Sequence, residues 1–380
     1  MPTQVIDVRS ADDRRDVIHR AVQALAEGQI VAFPTETVYG LAVSALNADA
    51  VQKLLIAKGR PENQPLALAI QHSDQLWDYV PQASKLSARL ARRCWPGPVT
   101  LVLPCAGQNS VVENFAPSVI QAVAPTGMVG LRIPAHDLIT EVMRFLPGPL
   151  ALTSANLSGE PDVVEGSQVA ESLGDAVQLV LDDGKCRYAQ SSTVVKVQEN
   201  QLTILREGVV SKKVLSRLSS FNILFVCTGN TCRSPMAELL MQKQIANHLG
   251  CEIDHLIDRG VVVSSAGIAA YPGGRPSVEA VSVLSERGLD LSQHASQPIG
   301  DRLIEHADLI LTMTRGHIEA IVSHWPQASD RITNLCLDGF DVADPFGGAK
   351  EVYEQCADQI ESEIAARIKQ LDFDSLLPKL

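Results

Sequence analysis

A chain of 380 residues with 46% hydrophobic side chains is too long for one ordinary domain and apolar enough to build two or three cores. Its net charge of −12, with Lys and Arg paired at most (Arg92-Arg93, Lys212-Lys213), argues against a stable grip on nucleic acid, which needs a basic face. Eight scattered cysteines are unlike a secreted disulfide framework, residues 1–7 lack the basic flank and apolar run of a signal peptide, and no stretch reaches the roughly 18 to 20 apolar residues of a membrane helix, so a reducing cytoplasm is expected.

The predicted elements start with a helix over 14–28, a buried strand over 30–33 stopped by Pro34, and a helix over 49–58. Strands follow at 101–103, at 129–133 before Pro134, and at 150–153. This alternation argues for an α/β or α+β sheet domain over residues 1–210. Residues 209–220 turn polar and basic, with Lys212, Lys213 and Arg217, and residues 211–220 read as the linker. A fresh buried strand begins at 222–226. Helix 235–250, strand 261–265, helix 277–288, strand 309–311 and a last helix over 352–371 complete a doubly wound parallel sheet over residues 221–380. The expected fold class is therefore α/β in two domains.

The sharpest motif is Val226-Cys227-Thr228-Gly229-Asn230-Thr231-Cys232-Arg233-Ser234-Pro235, set between a strand and a helix. A loop in that place turns backbone N–H groups inward, and the helix dipole adds positive potential. Such a nest holds a phosphate dianion and favours a thiolate at Cys227. Arg233 can fork onto two phosphoryl oxygens, and Cys227 can attack phosphorus to form a thiophosphate. Zinc is a poor reading, because no second Cys or His pair lies at metal-site spacing. Asp344-Pro345-Phe346-Gly347-Gly348, on a loop before the last helix, supplies a candidate acid for the leaving group.

With Ser264-Ser265-Ala266-Gly267 and Leu289-Asp290-Leu291-Ser292-Gln293-His294, these residues make 221–380 resemble the low-molecular-weight protein tyrosine phosphatase family. The resemblance implies no cofactor, Cys227 as nucleophile, Arg233 as phosphate ligand and Asp344 as general acid. It also implies a phosphate loop of Thr228, Gly229, Asn230, Thr231, Cys232 and Ser234, with Ser234 bonded to the thiolate and Asn230 bracing the loop. Cys232 has two open readings, a reversible disulfide partner of Cys227 or a buried bystander. Thr231 and the sequence Asp-Pro-Phe-Gly-Gly resemble the bacterial protein-arginine phosphatases of that family. Phosphoarginine is thus the expected substrate and phosphotyrosine the alternative.

The first domain carries no activated nucleophile. Phe33 to Leu41 ends a strand in hydroxyls and a glycine, Lys58-Gly59-Arg60-Pro61 sets two cations at a helix end, and Ser154-Ala155-Asn156-Leu157-Ser158-Gly159 offers small polar groups. Ser191-Ser192-Thr193 and Arg206 add more. Together they describe a cationic, hydroxyl-lined pocket that works by positioning and charge neutralisation, as attack on a nucleotide α-phosphate requires.

With Trp95-Pro96-Gly97-Pro98-Val99-Thr100 and Val129-Gly130-Leu131-Arg132-Ile133-Pro134, the first domain resembles the YrdC family of threonylcarbamoyl-AMP synthases from about residue 10 to 210. The resemblance implies a twisted open sheet with a concave face, and L-threonine, bicarbonate and ATP with Mg2+ as reactants. The product passes to other proteins that modify certain tRNAs. Thr35, Arg132 and Ser192 are the implied threonine contacts. Lys58, Arg60, Ser154, Asn156 and Arg206 are the implied ATP contacts. Ala69 and Met128 stand where many members carry His and Thr, which keeps open an alternative: a module that binds nucleotide or RNA without turnover beside an active phosphatase.

Overall fold

The computed structural model describes residues 3–59, 64–107 and 109–379, and the chain divides into two compact units, Met1–Leu218 with Lys379–Leu380, and Ser219–Pro378. In the first unit, strands β1 (Gln4–Asp7), β2 (Val31–Phe33), β3 (Gly40–Ser44), β4 (Ala67–Ala69) and β5 (Val99–Pro104) are followed by β6 (Met128–Arg132), β7 (Leu150–Ser154), β8 (Leu179–Asp182), β9 (Thr193–Gln198) and β10 (Gln201–Arg206). They form one mixed sheet in the order β1-β8-β2-β3-β7-β4-β6-β5-β9-β10.

Register decides what this sheet brings together. Phe33 pairs with Gly40, Gly40 with Ser154, and Ala69 with Arg132, while Val99 pairs with Thr193. The ends of β2 and β7 therefore share one side of the sheet, whereas Ala69 pairs with both Arg132 and Leu150, so the end of β6 and the starts of β5 and β9 lie level with the start of β7. Thr35, Ser154, Arg132 and Ser192 come from four separated motifs, yet all line one cavity, and the segment 34–39 after β2 carries Glu36 and Thr37 to Arg132. Apolar residues cover both faces: Leu41, Leu54, Leu68 and Leu101 on one, Leu25, Phe33, Val142 and Leu150 on the other. Each is essentially fully buried, worth about 1.5–3 kcal/mol apiece.

The segment expected as a linker contains a helix, Lys212–Ser219. Its Leu215 is fully buried, and Val210 and Leu218 pack against the first unit's core. Three apolar residues among lysines and serines are too few to outweigh a polar composition in sequence alone. They suffice once a core lies beneath them.

In the second unit, β11 (Phe221–Cys227), β12 (Val261–Gly267), β13 (Leu309–Thr312) and β14 (Ile332–Asn334) are all parallel, in the order β12-β11-β13-β14. Being covered on both faces, β11 reads as the continuous apolar run that marks a central parallel strand. Helices Arg233–Leu249 and Lys350–Ile368 pack on one side through Met236, Leu240, Ile360 and Ile364, whereas Ile304 and Ile321 lie on the other. The helix expected from residue 235 begins at Arg233, so the motif's arginine and serine belong to its first turn. Cys227 ends the central strand, the position where open parallel sheets bind ligands. Among the described residues, no helix is long and apolar enough to cross a membrane.

Candidate active sites

In the second unit, the loop after Cys227 wraps around its sulfur. The Asn230 backbone N–H donates to Cys227 Sγ at 3.2 Å, and Ser234 Oγ lies 3.0 Å from it. The loop can do this because Asn230 adopts φ 54°, in the left-handed region that Asn tolerates better than most residues. Asn230 is fully buried and spends its side chain on bracing. Its Nδ2 donates to Ser234 Oγ and Ser265 Oγ, both at 2.9 Å, and its Oδ1 accepts from the Gln297 N–H at 2.9 Å. Ser265 donates onward to Glu238 at 2.6 Å, whose carboxyl burial pushes above the usual range. Gly267 backs the loop: a Cβ there would sit 2.6 Å from Thr228 O and 2.9 Å from Asn230 N.

Arg233 is 4% exposed, so its charge is aimed rather than solvated. Nη1 donates to Val342 O at 3.1 Å, and Nη2 pairs with Asp344 Oδ2 at 2.5 Å. Asp344 is half exposed, and its other oxygen accepts from the Phe346 N–H at 3.2 Å. Cys227, Thr228, Gly229, Thr231, Cys232, Arg233, Asp344 and Phe346 line one cavity of about 230 Å³. That is room for a phosphoryl group and the start of its carrier. All eight cysteines are free thiols; Cys232 is buried, 3.5 Å from the Tyr353 hydroxyl. Burial, then the Cys232 contact, pushes that phenol up to about 12.

In the first unit, Thr35, Arg132, Ser154, Ser192 and Arg206 line one cavity of about 150 Å³. Thr35 closes a turn, donating to Val38 O at 2.6 Å and accepting from the Thr37 and Val38 N–H groups. Arg132 is held from three sides, by Glu36 at 2.8 Å, Thr37 Oγ1 at 2.9 Å and Gly97 O at 3.2 Å. Glu36 in turn accepts from the Ala135 N–H at 3.0 Å. Arg206 forks onto Ser192, reaching its carbonyl at 2.9 Å and 3.1 Å and its hydroxyl at 3.1 Å, and burial lowers the guanidinium's pKa.

Lys58 and Asn156 stand behind this wall. Asn47 caps the start of helix Ala48–Lys58, and Gly59, at φ 59°, ends it. Lys58 is thereby delivered at the last turn, where a cation also suits the helix dipole. Its ammonium donates to Ser154 O at 2.7 Å, Ser154 Oγ at 3.2 Å, Asn156 Oδ1 at 2.6 Å and Asn156 O. Arg60, the other expected cation, lies outside the described residues. Ala69 packs with Phe33, Ala42 and Leu150 in the core. Met128 lines a second bay, of about 740 Å³, that shares Ala67 and Val194 with the cavity. Among the described residues, no group of three or more His, Cys, Asp or Glu could hold a metal ion.

Sequence reasoning overlooked Glu36, Gly208 and the cavity-lining Thr100, whose hydroxyl lies 3.2 Å from Ser192 Oγ. Glu36 and Thr100 sit inside quoted motifs, and a buried partner for Arg132 was foreseeable from charge alone. Gly208 carried no local signal: a Cβ there would meet Ser191 O at 2.2 Å and Ser192 O at 2.8 Å, a clash only tertiary packing creates. His317, in the second unit, was overlooked likewise.

The Sua5/YciO/YrdC family profile, described as telomere recombination, matches residues 23–208, and the low molecular weight phosphotyrosine protein phosphatase profile matches residues 222–376. The threonylcarbamoyl-AMP synthase of Pyrococcus abyssi is 34% identical over 237 residues, 61% of this chain and 67% of that protein. The structure of a Pyrococcus abyssi Sua5 variant aligns with a TM-score of 0.51 at 28% identity, over 70% of this chain and 91% of that one. The threonylcarbamoyl-AMP synthase of Bacillus subtilis is 37% identical over 209 residues, 55% of this chain, but the chain spans only 58% of that relative's length. The protein-arginine-phosphatase of Bacillus subtilis is 41% identical over 157 residues, 40% of this chain and 98% of that enzyme. The chain thus belongs to two families, Sua5/YrdC in its first unit and the low-molecular-weight phosphatases in its second.

Proposed function

We propose that the chain is bifunctional: the first unit makes threonylcarbamoyl-AMP, and the second hydrolyses phosphoproteins. The first reading rests on one observation, the convergence of Thr35, Arg132, Ser154, Ser192 and Arg206 on a single cavity. The amine of L-threonine condenses with bicarbonate to a carbamate, releasing water, and the carbamate oxygen attacks the α-phosphorus of ATP as pyrophosphate leaves. Thr35, Arg132 and Ser192 hold the threonine. Lys58 and Arg206 offset phosphate charge, Ser154 and Asn156 supply hydrogen-bonding groups, and Arg60 completes the set. Because 150 Å³ cannot hold both substrates, the adjoining 740 Å³ bay takes the nucleoside end of ATP. Mg2+ enters as part of the MgATP substrate. The product leaves for proteins that modify tRNA, so this chain needs no basic tRNA face of its own.

In the second unit, Cys227 attacks phosphorus while Arg233 and the loop N–H groups carry the charge. Asp344 protonates the leaving group, and the cysteinyl phosphate forms as the phosphorus–leaving-group bond breaks. Water then attacks the intermediate, giving its proton to Asp344 and regenerating the thiolate. Thr231 at the cavity wall and the single aromatic Phe346 at its rim support phosphoarginine over phosphotyrosine. A cytoplasmic setting suits a thiolate nucleophile that must stay reduced.

The test is threonine- and bicarbonate-dependent pyrophosphate release from ATP by the full chain. Lys58→Ala should abolish release and leave phosphatase turnover intact, and Cys227→Ser should do the reverse. No release from a chain whose phosphatase is active would overturn the synthase reading and leave a module that binds nucleotide without turnover. Phosphotyrosine turnover outrunning phosphoarginine turnover would reverse the substrate assignment.

A further inference from the structure

His317 has no part in the chemistry above, yet it is buried against the phosphate loop at 5% exposure. It lies in the first turn of helix Arg315–His324, after Thr314, whose hydroxyl caps that helix by accepting the His317 N–H at 3.2 Å. Both ring nitrogens are engaged. Nδ1 lies 2.9 Å from Thr314 Oγ1, and Nε2 lies 3.0 Å from Thr228 Oγ1. Thr228 follows the nucleophile and lines the cavity beside Arg233.

A neutral imidazole has one N–H and one lone pair, so the two contacts must run in opposite senses. In one arrangement the Thr314 hydroxyl donates to Nδ1, Nε2–H donates to Thr228, and the Thr228 hydrogen turns into the cavity. In the other, Thr228 donates to Nε2 and presents only lone pairs to the cavity, while Thr314 must accept two N–H groups. A phosphoryl dianion repels lone pairs and accepts hydrogen bonds, so a bound substrate selects the first. Burial and the Arg233 guanidinium push the imidazole down to about 4, against the milder pull of Asp341 and Asp344, so the neutral ring is the form that operates near neutrality. We infer that His317 is a positioning residue that turns the Thr228 hydroxyl into a hydrogen-bond donor for the phosphoryl group. This rests on the phosphatase reading of the second unit.

The test is a double-mutant cycle on the full chain, read by inhibition with orthovanadate and by kcat/KM. A hydrogen bond to a charged group is worth about 1.5–3 kcal/mol, or roughly 10- to 100-fold. Thr228→Val and His317→Leu should each weaken vanadate inhibition by that factor, and the double variant by no more than either. His317→Gln, whose amide N–H can still reach Thr228, should recover part of the loss. Thermal midpoints measured in parallel separate a folding defect from an effect on oxyanion binding. Multiplying losses, or unchanged vanadate inhibition in His317→Leu, would overturn the inference. A wild-type chain that neither binds vanadate nor hydrolyses phosphoesters or phosphoarginine would overturn the phosphatase reading itself, and the inference with it.

Discussion

Replacing Asn230 by Ala removes one side chain that braces the phosphate loop from three directions. Each of its three bonds is 2.9 Å long and buried. At about 1 kcal/mol net per bond, their loss costs about 3 kcal/mol. Ser234 and Ser265 keep other partners, Cys227 and Glu238. Alanine at φ 54° adds about 1 kcal/mol of backbone strain that asparagine largely avoids. The expected total is about 4 kcal/mol, which at a urea slope near 2 kcal/mol/M moves the midpoint by about 2 M. Because the chain has two units, the readout should be phosphatase activity against urea, since a global probe would mix two transitions. Asn230→Gly is the control. It relieves the strain and restores no bond, so it should recover about 1 kcal/mol of the loss and no more. Wild-type stability in Asn230→Gly, or a loss under 1 kcal/mol in Asn230→Ala, would refute this reasoning.

Gly208→Ala should cripple pyrophosphate release while phosphatase turnover stays normal, because its Cβ would push Ser191 and Ser192 off the cavity wall. Glu36→Gln should raise the KM for threonine about tenfold or more by leaving Arg132 without its buried counter-charge, as initial rates at varied threonine would show. The His317 ring titrates near 4 when folded and near 6.5 when unfolded, so below 6.5 the unfolded chain binds more protons. Stability of the second unit should therefore fall by up to about 3 kcal/mol from pH 6.5 to 4, and His317→Gln should flatten that slope in urea titrations.

The nucleophile loop was legible without any structure because its chemistry is local. Cys227, Arg233 and the N–H groups between them lie within seven consecutive residues, and a strand before and a helix after dictate the turn. The apolar runs of β11 and β13 were equally plain, since a strand buried on both faces leaves no alternation to misread. The strands β1, β3, β4, β8, β9 and β10 were not anticipated. Several span only three or four residues, too short for a period to emerge, and they form only because neighbours complete their ladders. The same reason hid the helix at Lys212–Ser219, whose polar composition outweighs its three apolar residues until Leu215 has a core to enter. Residue type alone thus determined which groups could carry chemistry. Tertiary structure determined which of them meet: the segment between β2 and β3 brings Glu36 onto Arg132, the β9–β10 pairing brings Arg206 onto Ser192, and packing makes Gly208 a position where any side chain would collide. Those are contacts between residues 14 to 96 positions apart, and only the folded sheet brings their atoms within reach.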